Sequence, residues 1–94
     1  MSYWVHVLAN KPGGTLYVGM TNDLIRRVCE HREGAQGFTK RSSVKTLVYF
    51  EPHDTIAAAL QREKNIKHWS HEWKIDLIVA SNPDWRDLYD DIVR

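Results

Sequence analysis

The sequence has little cysteine and no long apolar segment. Cys29 is its one cysteine, and no uninterrupted apolar stretch approaches the roughly 18 residues that a transmembrane helix needs. A single cysteine excludes an internal disulfide and a cysteine-based zinc finger. The N-terminus lacks the basic flank and apolar block of a secretory signal. These absences favour the reducing cytoplasm as the location and predict no membrane partner.

The overall composition is that of a folded protein. Hydrophobic residues make up 43% of the 94-residue chain and aromatic residues 11%, which is enough apolar surface to build a core. The sequence contains no internal repeat, low-complexity tract or linker. We therefore predict that residues 1–94 form a single domain.

The charges are unevenly distributed along the chain, although the formal net charge is only +1. Residues 1–50 hold seven Lys/Arg and three Asp/Glu, whereas residues 51–94 hold six and nine. A basic half is suited to an anionic partner, and an acidic half favours solubility. A scatter of solvated charges explains the same counts, so the partner must be inferred from other residues.

The first half of the chain predicts a β-hairpin, a helix and a third strand. Two aromatic and β-branched segments, 3–8 and 15–19, flank a Pro-Gly-Gly turn. Thr21 or Asn22 is the expected cap of a helix that continues to about Arg32. The almost continuously apolar segment 44–51 predicts a central strand that ends at Pro52.

The second half predicts helices. Asp54 is the expected cap of a helix to about His68, a further helix is expected over 72–80, and a short terminal helix over 85–93. The order is therefore β-β-α-β-α-α with a short last helix. It predicts an α+β fold with a small three-stranded antiparallel or mixed sheet flanked by helices.

Glu63 occupies an unusual position on the second predicted helix. At 100° per residue, the apolar stripe consists of Ile56, Ala59, Leu60 and Ile66, and Glu63 falls in its middle. A carboxylate that faces a core is costly unless it is paired, hydrogen-bonded or bound to a metal. Glu63 therefore pairs with a basic side chain, reaches water at the end of the stripe, or forms part of a site.

The first predicted helix has a second unusual feature. Leu24, Ile25 and Val28 form its apolar face, and Arg27 and His31 lie one turn apart along one edge of that face. A surface arginine beside an ordinary histidine has the same spacing. If they meet Glu63 and the strand phenol Tyr17 over one sheet, the set is suited to phosphodiester hydrolysis. Magnesium often takes one or two carboxylates plus waters, arginine pairs with phosphate oxygens, and a phenol or imidazole can relay a proton.

The sequence resembles the GIY-YIG nuclease family, and in particular small free-standing bacterial proteins of that family. The resemblance rests on three ordered blocks that cover nearly the whole chain, namely LYVGMTNDLIRRVCEHR, ALQREKNIKHW and SNPDWRDLYDD. It implies that Tyr17 and Gly19 belong to the second family motif and that Arg27 and His31 are the helix residues of the site. It also implies that Glu63 holds a single divalent cation, Mg²⁺ or Mn²⁺, and that Asn82 supports the site.

The sequence departs from the family pattern at His6, which stands where the first motif normally ends in a tyrosine. Histidine can donate or accept a hydrogen bond and titrates near neutrality, but it is shorter than tyrosine. The resemblance implies that Tyr17 takes the proton of an attacking water, that Arg27 neutralises charge in the transition state, and that His31 and His6 orient the groups. His6 leaves three possibilities open, namely altered, weakened or lost activity.

The implied partner is DNA, gripped mainly through its backbone. The expected phosphate contacts come from basic residues of the first half and of the second helix, namely Arg26, Lys40, Arg41, Lys45, Lys64 and Lys67. Because the positive charge is small, binding should be modest and salt-sensitive. The sequence contains no separate targeting domain, which predicts weak specificity, selectivity for branched or nicked DNA, or recruitment by a protein partner. We expect an endonuclease, with a role in DNA repair or recombination. The alternative is a catalytically weak nucleic-acid-binding or protein-interaction module that retains the fold.

Overall fold

The computed structural model describes residues 2–33 and 44–93. These residues form three strands and four helices, namely β1 (Tyr3–Ala9), β2 (Leu16–Thr21), α1 (Leu24–Arg32), β3 (Thr46–His53), α2 (Ile56–His68), α3 (His71–Ser81) and α4 (Tyr89–Ile92). The predicted order β-β-α-β-α-α with a short last helix is confirmed. None of the helices in this part of the chain is long and apolar enough to cross a bilayer.

The three strands form one antiparallel sheet in the order β2-β1-β3. The prediction that the third strand is central was wrong, because β1 lies between the other two. Pro52 lies inside β3 rather than after it. An edge strand tolerates proline, since one row of its backbone amides has no partner strand. β3 is nevertheless apolar because helices cover both faces of the sheet.

The sheet has two faces with different partners, because successive side chains of a strand point to opposite sides. We call the side of Val5, Val7 and Val18 the back face; Ala59 and Ile66 of α2 and Ile78 of α3 pack on it. We call the side of Leu8, Tyr17 and Leu47 the front face; Leu24 and Val28 of α1 pack there, with Leu88, Tyr89 and Ile92 around them. A register shift between Val7 and Leu8 leaves Val48 as an extra residue of β3.

The caps of α1 and α2 differ from the predicted ones by one or two residues. Asp23, and not Thr21 or Asn22, caps α1, since its Oδ1 accepts a hydrogen bond from the Arg26 amide at 3.2 Å. Thr55, and not Asp54, caps α2 by accepting from the amide of Ala58 at 3.1 Å. A side-chain oxygen must reach the amide three residues on, and the non-helical backbone of these two residues allows it.

The buried faces of the helices are narrower than predicted. α1 buries Leu24, Val28 and His31, whereas Ile25 is 44% exposed. α2 buries only Ala59 and Ile66, and Ile56 and Leu60 are exposed. A helix on the rim of a three-stranded sheet contacts it along one narrow line, so residues at the sides of the apolar stripe stay in solvent.

Candidate active site

Three aromatic rings meet on the front face of the sheet. The hairpin register places His6 opposite Gly19 and Leu8 opposite Tyr17, and His31 of α1 packs above them. The ring centroids of Tyr17 and His31 are 4.8 Å apart, those of His6 and Tyr17 6.2 Å, and those of His6 and His31 6.4 Å. The structure therefore brings together three side chains that the sequence separates by up to 25 positions.

Gly19 makes this approach possible. A Cβ at this position would lie 2.9 Å from Cε1 of Tyr17 and 3.0 Å from Cε1 of His6. Both distances are shorter than ordinary van der Waals contact. The glycine of the second motif is therefore needed for room, since the two rings occupy the space in which a side chain would stand.

Both histidines are buried in the neutral form. His6 is 0% exposed and His31 is 3% exposed. Within residues 2–33 and 44–93, no group hydrogen-bonds either ring nitrogen of His6 or Nδ1 of His31. Burial, reinforced by repulsion from His31 and Arg27, lowers the pKa of His6 to about 3. Burial and the Arg27 charge also lower the pKa of His31, against a smaller opposite effect of Glu30.

Arg27 supplies the positive charge next to the three rings. It lies one turn before His31 on α1, and its side chain is 40% exposed. Its Nη1 is 3.6 Å from Oε1 of Glu30, whereas its Nε is buried and has no hydrogen-bond partner in the described part of the chain. Since both histidines are neutral, the guanidinium is the positive group of this cluster, and its outer part faces solvent.

A cavity of about 370 Å³ lies beside Arg27, between α1 and the start of α2. Its lining includes Arg26, Arg27 and Glu30 from α1, Met20 from β2 and Ile56 from α2. Glu30 also pairs with Arg26 through Oε2 and Nε, 3.3 Å apart. Glu30 is not among the site residues predicted from the sequence, although its position three residues after Arg27 and four after Arg26 is the spacing of helical ion pairs.

Glu63 lies on α2, on the back face, and is not in contact with the three rings through any described interaction. α2 begins at the cavity beside Met20, and shortly after its end His71 Nε2 lies 3.3 Å from the Gly13 carbonyl oxygen in the hairpin turn. The helix therefore follows the edge strand β2 in the opposite direction, and Glu63 stands near the middle of that strand. Its side chain is 18% exposed, with Oε2 at 3.4 Å from Lys67 Nζ.

The donor set around Glu63 limits the metal that it can hold. The described residues contain no group of three or more His, Cys, Asp or Glu side chains arranged to hold a metal ion. A single carboxylate fits Mg²⁺ or Mn²⁺, because these hard cations accept one carboxylate and complete their coordination with waters and substrate oxygens. It does not fit a structural zinc site, which takes four protein ligands.

The predicted nucleic-acid contacts are spread over the molecule. Arg26 lines the cavity next to Arg27 and its side chain is 74% exposed. Lys45 directly precedes β3, at the end of the sheet near the hairpin turn, and Lys64 and Lys67 are exposed on α2. Lys40 and Arg41 lie outside the described residues.

Asn82 holds the end of α3 to the sheet. It is 4% exposed, and its Nδ2 donates to the carbonyl oxygens of Val48 at 3.1 Å and Arg86 at 3.0 Å. Its Oδ1 accepts from the Arg86 amide at 3.1 Å. These bonds close the turn in which Trp85 adopts a positive φ of 55°. The side chain of Asn82 is therefore engaged with backbone.

Comparison with known proteins agrees with this architecture. Residues 2–76 match the family model of the GIY-YIG catalytic domain. A UPF0213 protein of Haloquadratum walsbyi is 46% identical over 65 residues, which cover 67% of this chain and 72% of the relative. A UPF0213 protein of Desulfotalea psychrophila is 33% identical over 88 residues, or 92% of this chain and 80% of the relative.

A solved structure has the same fold. The solution NMR structure of the UPF0213 protein BH0048 from Bacillus halodurans superposes with a TM-score of 0.58 and 25% sequence identity, over 93% of each chain. The family model covers residues 2–76, and the solved structure shares the architecture of the chain. The chain therefore belongs to the GIY-YIG family of nuclease-type domains.

Proposed function

We propose that the protein is a metal-dependent endonuclease that hydrolyses phosphodiester bonds of DNA. The observation that carries the proposal is the convergence of Tyr17, His31 and the Arg27 charge on one sheet face of a GIY-YIG domain. Buried histidine nitrogens without a described partner support it further, because a purely structural cluster satisfies such atoms.

Arg27 stabilises the transition state in this proposal. Negative charge increases on the phosphate oxygens as water attacks, and a guanidinium offers two parallel hydrogen bonds to them. The half-exposed position of Arg27, at the wall of a cavity, allows contact with a substrate phosphate. Its neighbour Arg26 contributes to backbone binding from the same wall.

Tyr17 and His31 move the proton of the attacking water. The phenol oxygen accepts that proton while its own proton passes to a neutral nitrogen of His31, the ring of which is 4.8 Å away between centroids. The lowered pKa of His31 keeps it neutral and thus able to accept a proton near pH 7. The proton later returns to the leaving oxygen or to solvent, so the groups are restored.

His6 is a positioning residue in this scheme. It is fully buried and neutral, so it does not touch the phosphate, and it packs against both Tyr17 and the position of Gly19. A histidine in place of the usual tyrosine therefore changes how Tyr17 is held while leaving the other groups in place. This supports altered activity over complete loss.

Glu63 is the residue that we propose as the metal ligand. α2 runs alongside the edge strand β2, and in this proposal the Glu63 carboxylate approaches the front-face cluster around that edge. Glu63 would hold a Mg²⁺ or Mn²⁺ ion, which would supply Lewis-acid stabilisation of the charge that develops on the phosphate. Lys67, now 3.4 Å from the carboxylate, then becomes free to contact the nucleic-acid backbone.

DNA binding by this domain is modest and falls with salt, since the basic residues are few and dispersed. We propose a substrate with branched, nicked or otherwise irregular structure, in repair or recombination in the cytoplasm, with residues 1–94 acting as one domain. A protein partner that supplies targeting is consistent with the weak charge.

The test is cleavage of nicked, branched, single-stranded and plain duplex DNA with Mg²⁺ or Mn²⁺. We expect metal-dependent cutting that Glu63→Gln and Tyr17→Phe reduce about 100-fold, while Glu72→Gln, an exposed carboxylate of α3, has no effect. Salt-sensitive DNA binding without cutting by any variant contradicts the endonuclease and supports the alternative, a catalytically weak binding module.

A further inference from the structure

A second cavity, of about 400 Å³, opens next to the candidate active site. Trp4, Phe50 and Ile25 form its apolar walls, and Asn22 and Asp23 are shared with the first cavity, which Arg27 lines. Its volume lies within the range of roughly 300–1,000 Å³ in which proteins bind small ligands. The two cavities therefore meet at the start of α1.

The walls of the second cavity adjoin the three-ring cluster on the front face. Phe50 is the direct cross-strand partner of His6, and Trp4 lies two residues before His6 on β1 and thus on the same face. A nucleotide whose phosphate lies at Arg27 would place an adjoining group within reach of these walls.

The walls are suited to a flat aromatic ring. Trp4 and Phe50 pack edge to face, with centroids 5.9 Å apart and planes at 66°. Ile25 is 44% exposed beside them, although the helix pattern predicts it in the core. Aromatic and aliphatic side chains that remain accessible bind nucleobases by stacking, which every base permits.

The charges of the cavity select against a phosphate. The charged groups that the described residues contribute to its lining are the carboxylates of Asp23 and Asp91. Asp23 caps α1 and Asp91 lies 3.4 Å from Arg86, and the negative charges of these two carboxylates repel a phosphate. Carboxylates and the Asn22 amide accept hydrogen bonds from the amino and imino groups of a base. The cavity therefore complements a neutral ring with donors at its edge.

We propose that this cavity binds an unpaired nucleobase next to the phosphate at Arg27. The proposal rests on the proposed function in one respect, namely that the substrate is a nucleic acid. A base inside a duplex is stacked and paired and does not enter a pocket without being extruded, which is easiest where it has no partner. The preferred substrate is thus a nucleic acid with an unpaired nucleotide.

The test compares two labelled DNA hairpins, one fully paired and one with a single unpaired 2-aminopurine. Binding is measured by anisotropy without divalent metal, so that nothing is cut. We expect about tenfold tighter binding of the second hairpin, with quenching of 2-aminopurine fluorescence.

Ile25→Ala and Phe50→Leu should reduce the preference to about twofold or less. Val79→Ala, an exposed aliphatic residue of α3, should leave it unchanged. Circular dichroism shows whether each variant is folded, and the exposed Ile25 tolerates change even if Phe50 does not.

Equal binding of the two hairpins by the wild type overturns the proposal, and so does a preference that Ile25→Ala leaves intact. The failure of the endonuclease looks different. If the wild type prefers the hairpin with the unpaired base but cuts neither hairpin with Mn²⁺, the proposed nucleobase pocket stands and the endonuclease proposal fails. If both hairpins bind equally and are cut at equal rates, the endonuclease proposal stands and the proposed nucleobase pocket fails.

Discussion

Among the described residues, a polar cluster on each side of the sheet can be compared, and the two clusters differ in how their polar groups are hydrogen-bonded. On the back face, the Glu51 carboxylate accepts from the Tyr49 hydroxyl at 2.5 Å and from Nε of Arg62 at 3.0 Å, and it lies 2.6 Å from Nε2 of His53. On the front face, the ring nitrogens of the fully buried His6 have no partner among the described residues. The polar side chains of the back-face cluster are thus paired with one another, whereas the His6 ring nitrogens on the front face have no hydrogen-bond partner among the described residues.

The pKa shifts reflect this difference. Partial burial raises the pKa of the Glu51 carboxyl, but hydrogen bonds from its three partners outweigh burial and lower it overall. Burial and the bond to Glu51 raise the pKa of Tyr49 to about 12. No described residue gives His6 a compensating hydrogen bond, so burial lowers its pKa. A satisfied cluster stabilises the fold, and an unsatisfied one retains hydrogen-bonding capacity for a ligand.

The largest expected effect is on the cleavage rate, and it comes from a residue of the front-face cluster. Arg27→Ala should lower the cleavage rate about 100-fold, because it removes the positive group that faces the phosphate. Cleavage kinetics at saturating metal measure the change. Arg26→Ala, which removes the same charge one residue earlier, should cost about threefold at low salt and less as the salt concentration rises. Equal losses in the two variants would contradict a specific role for Arg27.

On the back face, we expect a substitution to lower the stability of the fold rather than the cleavage rate. Glu51→Ala should lower the free energy of unfolding by about 2 kcal/mol, since it leaves the Arg62 guanidinium and the Tyr49 hydroxyl without their partner. Urea denaturation measures this change. Below about pH 4 the wild type should lose the same contribution, because a carboxyl with a lowered folded-state pKa stabilises only while it is ionised. An acid limb that is identical in the two proteins would show that Glu51 contributes nothing.

Acid should also destabilise the protein through His6, over a pH range that lies above that of the Glu51 effect. The unfolded histidine binds a proton below about pH 6.5, whereas the folded one remains neutral down to about pH 3. Stability should therefore fall by roughly 1 kcal/mol per pH unit as the pH drops from 6.5 towards 4.5. His31 acts in the same direction. His6→Phe should flatten this slope in urea titrations, and an unchanged slope would contradict a buried neutral His6.

The smallest effect concerns Gly19. Gly19→Ala should push Tyr17 and His6 apart by a few tenths of an ångström, since its Cβ would lie 2.9 Å and 3.0 Å from their nearest ring carbons. We expect cleavage to be about tenfold slower and the free energy of unfolding to fall by less than about 1 kcal/mol. A small misplacement of reacting groups slows a reaction more than it destabilises a fold. Parallel kinetics and thermal melts distinguish the two. A large stability loss would mean that the rings cannot yield.

The element order was predictable from local patterns, and the strand order was not. The run of apolar residues in β3 is typical of a central strand, yet β3 is an edge strand that helices cover on both faces. Pro52 within it is allowed for the same reason. Cap positions were also missed by one or two residues, because the choice between adjacent capping residues depends on backbone angles that tertiary contacts decide.

The helix spacing of Arg27 and His31 predicted their common edge, and the structure places His31 against Tyr17. The spacing did not predict that His6 would be fully buried, or that α2, with Glu63, would lie on the opposite face. It also gave no sign of the Glu51 cluster, since Arg62 reaches Glu51 across 11 positions of chain. Such pairs depend on strand register and helix placement, which a single sequence leaves undetermined.

The most direct measurement compares Mn²⁺-dependent cleavage of nicked and branched DNA by the wild type, Glu63→Ala and Glu72→Ala, with Mn²⁺ binding followed by calorimetry in the same samples. We expect cutting by the wild type and Glu72→Ala, and loss of both cutting and Mn²⁺ binding in Glu63→Ala. Undiminished cutting by Glu63→Ala, or no cutting by the folded wild type, would contradict it.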